Sequence, residues 1–158
     1  MSTSRRKIPT LLSVLSLATT LAGCGGDSVT GLTEVTDLSG SWTYAAPNMT
    51  GTIQGFTVVC GFSNVPLTIS QTGDTFTGST NGGSFSCSIA GQSDGGVFGG
   101  RIIVNGEVDD IDVEFDFDGP DWHHSGTIDG NSMSGQVTAI IELSTGSVVL
   151  RGGWSAAR

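Results

Sequence analysis

The hydrophobic pattern of this chain has a period of two, and that constrains its fold more than any other feature. Ile111, Val113, Phe115 and Phe117 alternate with Asp112, Glu114, Asp116 and Asp118. Val137, Ala139, Ile141 and Leu143 alternate with Gln136, Thr138, Ile140 and Glu142. Val148, Leu150, Gly152, Trp154 and Ala156 share one face of a last strand. A helix needs apolar residues every three or four positions, and no segment from Leu38 onward carries such a stripe. Turn signals punctuate the runs: Gly73-Asp74, Asn81-Gly82-Gly83, Asn105-Gly106, Asp118-Gly119-Pro120, Asp129-Gly130-Asn131 and Thr145-Gly146. The pattern predicts an all-β domain over 38–158, with eight to ten short strands.

Two internal repeats bear on how the strands are arranged. Gly73-Asp74-Thr75-Phe76-Thr77-Gly78 matches Gly130-Asn131-Ser132-Met133-Ser134-Gly135. Its first two residues suit positive φ in a hairpin turn, and its closing Gly suits a bend or bulge. Gly40-Ser41-Trp42-Thr43-Tyr44-Ala45 matches Gly152-Gly153-Trp154-Ser155-Ala156-Ala157. Similar first and last strands suit partners that pair and close a small antiparallel up-and-down β-barrel, which leaves no exposed edges. Trp42 and Trp154 are then expected close together inside it, with Gly40 and Gly152 leaving room for a neighbouring ring. A β-sandwich is the alternative.

The first residues have a different character. Arg5, Arg6 and Lys7 precede the twelve-residue apolar run Leu11–Ala22, too short to span a bilayer core of about 30 Å. Leu21-Ala22-Gly23-Cys24 follows, and it resembles the lipobox of bacterial lipoproteins. The resemblance implies a signal peptide over 1–23 and a diacylglyceryl group on the Cys24 thiol. It implies cleavage before Cys24 and acylation of the new amino group. Gly25, in place of the Asp that retains such proteins in the inner membrane, implies the outer membrane. Residues 24–37 are expected to be the lipidated Cys and a flexible tether, anchored to the membrane through the acyl chains. Chain 24–158 keeps all 15 carboxylates but only Arg101, Arg151 and Arg158, a net charge of −12. No basic stripe exists to replace phosphate counterions, which argues against a nucleic-acid partner.

Cys60 and Cys87 remain. Two thiols in an exported domain most often pair; two buried thiols or half a metal site are the other readings.

The start of the domain carries a second resemblance. Gly40-x-Trp42 on the first strand of an exported all-β domain is similar to the lipocalin signature and to the start of avidin, both of the calycin group of ligand-binding barrels. The resemblance implies a closed small-molecule barrel in which a late Arg, Arg151 or Arg158, packs across the first Trp. The chain departs from the group in several ways. The helix after the eighth strand of lipocalins, the helical lid of fatty-acid-binding barrels and the biotin contacts of avidin have no counterpart in it.

Residues able to carry chemistry are few. Glu107, Asp109, Asp110, Asp112, Glu114, Asp116, Asp118 and Asp121 fall within 15 residues. On a strand, alternate members stand about 6.5–7 Å apart, too wide for neighbours to share one Ca²⁺ unaided. They read as a solvated outer face. His123 and His124 face opposite ways on a strand and cannot share a metal; one exposed and one hydrogen-bonded His is expected. Ser125 adjoins His124, but sequence neighbours on a strand do not meet. No Gly-x-Ser-x-Gly elbow or phosphate-cradling loop is present, so neither an enzyme nor a cofactor or metal site is expected. Trp42, Tyr44, Phe56, Phe76, Phe85, Phe98, Phe115, Phe117, Trp122 and Trp154 supply the aromatic mass and either fill the barrel or line a pocket, with Trp42, Tyr44, Phe76, Phe115, Phe117, Trp122 and Trp154 the candidate ligand residues. The sequence thus predicts a non-catalytic, lipid-anchored envelope protein whose barrel binds a small apolar ligand. The alternative is a structural or protein-interaction module with a filled core.

Overall fold

The computed structural model of the 158-residue chain describes residues 36–119, 121–143 and 146–158. The expected leader, Cys24 and nearly all of the tether lie outside the described residues. Ten strands follow in order: β1 Gly40–Ile53, β2 Phe56–Thr72, β3 Thr75–Thr80, β4 Ser84–Ile89, β5 Gln92–Val97, β6 Ile102–Asp109, β7 Asp112–Phe117, β8 Trp122–Asp129, β9 Ser132–Leu143 and β10 Gly146–Ala157. Among the described residues there is no helix.

All ten strands form one antiparallel sheet, and eight of them pair in a ring. The order runs β1, β10, β9, β8, β7, β6, β3, β2, and β2 pairs again with β1. The sheet is therefore closed and barrel-like, and its first and last strands pair. The long strand β2 makes this possible. Its residues 67–72 pair with β3, while its residues 58–63 pair with β4. The β4–β5 hairpin thus stands above β3 on the same edge of β2, outside the ring, and β6 returns to β3.

Period-two patterning explains which residues are inside. Val113, Phe115 and Phe117 are buried, and Asp112 and Glu114, which alternate with them, are exposed. The outer acidic face also juxtaposes like charges, Glu107 opposite Glu114 and Asp109 opposite Asp112.

Several local expectations are corrected. Ile111 is 52 % exposed, because Asp110 (φ 56°) and Ile111 form the turn between β6 and β7. Asn105-Gly106 lies inside β6, where the register slips against both β3 and β7. Asn105 takes the left-handed conformation (φ 52°) that an Asn tolerates, and a side chain at Gly106 would collide with the Phe76 ring. The pair is a bulge rather than a hairpin turn. In the six-residue repeat only the first Gly of each copy has positive φ (66° and 57°), not Asp74 or Asn131. Gly152 makes room for the backbone of β1 at Asn48–Met49, not for a ring. There β1 shifts register against both neighbours.

The disulfide joins Cys60 to Cys87, directly opposite each other on β2 and β4. It closes a sequence separation of 27 residues and so clamps the extra hairpin to the ring.

Candidate functional site

The interior is filled in the middle, sealed at one end and hollow at the other. The sealed end is made by the start of β1 and the ends of β2 and β10. Leu38 is fully buried there, its N–H donating to Gln71 Oε1 (2.7 Å) and its carbonyl accepting from Trp42 Nε1 (2.8 Å). Arg158 lies across the Trp42 ring, 4.6 Å from its centroid. Its guanidinium donates to the Asp37 and Ser39 carbonyls at 3.0 and 3.1 Å. Of the two late arginines weighed for this contact, Arg158 makes it.

The filled middle holds most of the aromatic residues singled out in the sequence. Tyr44, Phe115, Phe117 and Trp154 surround the imidazole of His124, and Phe76 packs edge-on to Phe115. Trp42 and Trp154 both face this core from paired strands, with Tyr44 between them along β1. The ring stacked on Trp154 is that of Tyr44, at 6.2 Å.

His124 itself is 0 % exposed. Its Nε2 is hydrogen-bonded to the Tyr44 hydroxyl at 3.0 Å, and its Nδ1 makes no hydrogen bond. Burial drives its pKa down to about 3, so the ring is neutral. Burial also pushes the Tyr44 phenol well up. Among the described residues no serine or carboxylate side chain hydrogen-bonds to this pair in the way a hydrolytic relay needs. His123 faces outward and accompanies Asp116 at 2.9 Å. Among the described residues no three His, Cys, Asp or Glu side chains gather to hold a metal.

The hollow end is built by the starts of β2, β8 and β10, the end of β9 and the β4–β5 hairpin. Here a partly open cavity of about 700 Å³ lies between ring and hairpin. Its apolar wall comprises Val58, Phe62, Phe85, Ile89, Phe98, Trp122, Ile140, Ile141 and Val148, with the Cys60–Cys87 bridge set into it. A second aromatic cluster shapes it. Phe62 packs edge-on to Phe98 (4.9 Å) and Trp122 (5.2 Å), and Phe98 stacks on Trp122 (5.9 Å). Polar groups enter at the rim: Ser88, Gln92, Ser93, Asp94, Arg101 and Glu142.

Of the seven candidate ligand residues, only Trp122 lines this cavity. Phe85 and Phe98, expected among the inward aromatics, line it too, as does Phe62, which sequence alone does not single out; Phe56, expected inward with them, is 53 % exposed. Phe98 belongs to no strand. It follows β5 between two glycine pairs, which free the backbone to turn its ring inward, where it is 5 % exposed. The segment Gly95–Gly100 spans the end of β5 and most of the connection to β6.

Comparison with known protein families, curated proteins and solved structures finds no match to this chain.

Proposed function

We propose that this protein binds a small apolar ligand at the hollow end of its barrel, without transforming it. One observation carries the reading: a cavity of about 700 Å³, walled by aliphatic and aromatic side chains with a few polar groups at its rim. Sites for small molecules share that size and that composition. A solid core alone would serve a purely structural module, and this barrel has one in its middle third. The hollow end favours ligand binding over that alternative. The filled middle also separates the buried His124–Tyr44 pair from the cavity, which supports binding over catalysis.

Trp122 lies in the cavity wall and reports on occupancy. Titration with fatty acids, fatty alcohols and other single-chain lipids should shift or quench tryptophan emission at micromolar ligand. An unchanged spectrum across the panel would refute the proposal.

We infer further that the protein acts from the bacterial outer membrane, held there by acyl chains on Cys24. Leu21-Ala22-Gly23-Cys24 followed by Gly25 supports this. Cys24→Ala should accumulate as unprocessed precursor or soluble protein. Membrane retention equal to wild type would refute the anchor.

A further inference from the structure

Among the described residues Arg101 is the only cation on the cavity wall. It is half-buried, with its guanidinium carbon 5.8 Å from the centroid of the Trp122 ring. One Nη1–H donates to the Asp118 carbonyl at 3.1 Å. Gly119 holds φ at +110°, and a side chain there would meet Nη1 at 2.8 Å. The turn after β7 thus leaves a place for the guanidinium.

In a chain so rich in carboxylates, a half-buried arginine would be expected to hold one. Among the described residues no carboxylate forms an ion pair with Arg101. Asp118, whose carbonyl takes the Arg101 Nη1–H, uses its carboxylate instead to accept from the Ile102 N–H at 2.7 Å. The rim carboxylates are engaged elsewhere: Asp94 accepts from the Gly95 N–H (2.8 Å) and Glu142 from the Ser147 hydroxyl (3.1 Å). Arg158 is committed to the sealed end, so Arg101 stands apart as a cation facing apolar space. A guanidinium carries five N–H donors in a planar fork that matches a carboxylate. Its protein hydrogen bonds from the side chain use one of them.

We propose that the ligand is an amphiphile with one apolar chain and a carboxylate head, and that Arg101 binds the head while the aromatic wall takes the chain. The inference rests on the ligand-binding reading above and adds the chemical class.

The test compares dodecanoate, its methyl ester and dodecanol on the full chain at neutral pH, read by tryptophan emission. The three share a chain and differ in charge. Dodecanoate should bind about tenfold or more tighter than ester or alcohol, the size of a charged hydrogen bond formed out of water. Arg101→Gln should erase that preference. Arg101→Lys should restore part of the preference.

Equal binding of acid, ester and alcohol to wild type would overturn the carboxylate assignment and leave the apolar site standing. A preference that survives Arg101→Gln would overturn the role of Arg101. Absence of binding by all three would overturn the ligand reading and this inference with it. The wild-type comparison decides the head-group chemistry even if the variants fail to fold.

Discussion

His124 shows how much a single residue's surroundings decide. On an exposed strand its pKa would sit near 6.5, as His generally does. Enclosed by Tyr44, Phe115, Phe117 and Trp154, it is held to about 3 by burial. The sign of the resulting pH dependence follows from which state takes the proton first. Below pH 6.5 the unfolded chain protonates this His while the folded chain does not, so its contribution to stability is complete above 6.5. That contribution is lost progressively as pH falls toward 3, by at most about 1.4 kcal/mol per pH unit. Urea midpoints should therefore fall between pH 6.5 and 5, before most carboxylates titrate. The double variant Tyr44→Phe/His124→Phe should flatten that slope, since it removes both polar groups together. A slope equal to wild type would show that another group drives it. Trp154 is the other residue on which this core depends: Trp154→Ala should cost about 3–5 kcal/mol. A melting temperature within a degree or two of wild type would show that β10 lies outside the core.

Strands that bury one face were legible in the sequence, because alternation is written into each of them and a slip by one residue would turn the whole face outward. Their ends were less legible. The turns Gln54-Gly55 and Ala90-Gly91 place both residues at positive φ, as a type I′ hairpin turn requires. Gln and Ala are unusual choices there and carry no signal, whereas Asn105-Gly106 carries the signal and makes a bulge. The β4–β5 hairpin was hidden for a physical reason: β5 is exposed along its whole length and so has no alternation to read. The hollow end depends on that hairpin, so the cavity could not be located from sequence, although an aromatic interior could be expected. The disulfide is the clamp that holds the hairpin over the cavity. Replacing both Cys60 and Cys87 by Ala should cost about 3–4 kcal/mol, from freeing a closed loop of this length in the unfolded chain. It should also weaken ligand binding, because β4 would then be held to β2 only by backbone pairing and the non-covalent Phe62–Phe85 and Ser63–Ser84 contacts. Denaturation and titration of the same variant check both, and affinity equal to wild type would show that the clamp does not shape the site. On the opposite face, Glu114→Lys should stabilise by about 0.2–1 kcal/mol, since it turns the repulsive pair with Glu107 into an attractive one. A lowered melting temperature would contradict this.

Across the whole molecule the closed ring divides the interior into a plug and a cup. Residues 36–39 enter at the plug, where Leu38, Trp42 and Arg158 seal the barrel, and the cup opens at the opposite ends of the same strands. Between the two lies the packed layer around His124, which leaves no shared cavity through which a change at one end would alter the shape of the other. Substitutions at the two ends should therefore separate stability from binding. Arg158→Ala loses a cation–π contact and three hydrogen bonds, to the Asp37 and Ser39 carbonyls and Asn131 Oδ1, at a solvent-facing position. It should lower stability by about 1–2 kcal/mol while leaving ligand affinity unchanged. Phe98→Ala removes a ring that stacks on Trp122 inside the cup and so should alter affinity several-fold, whatever it does to the melting temperature. Thermal melts and fluorescence titrations on both variants give the comparison. If Arg158→Ala shifts affinity as far as Phe98→Ala does, the packed middle transmits strain from plug to cup, and the two ends of the barrel do not act independently.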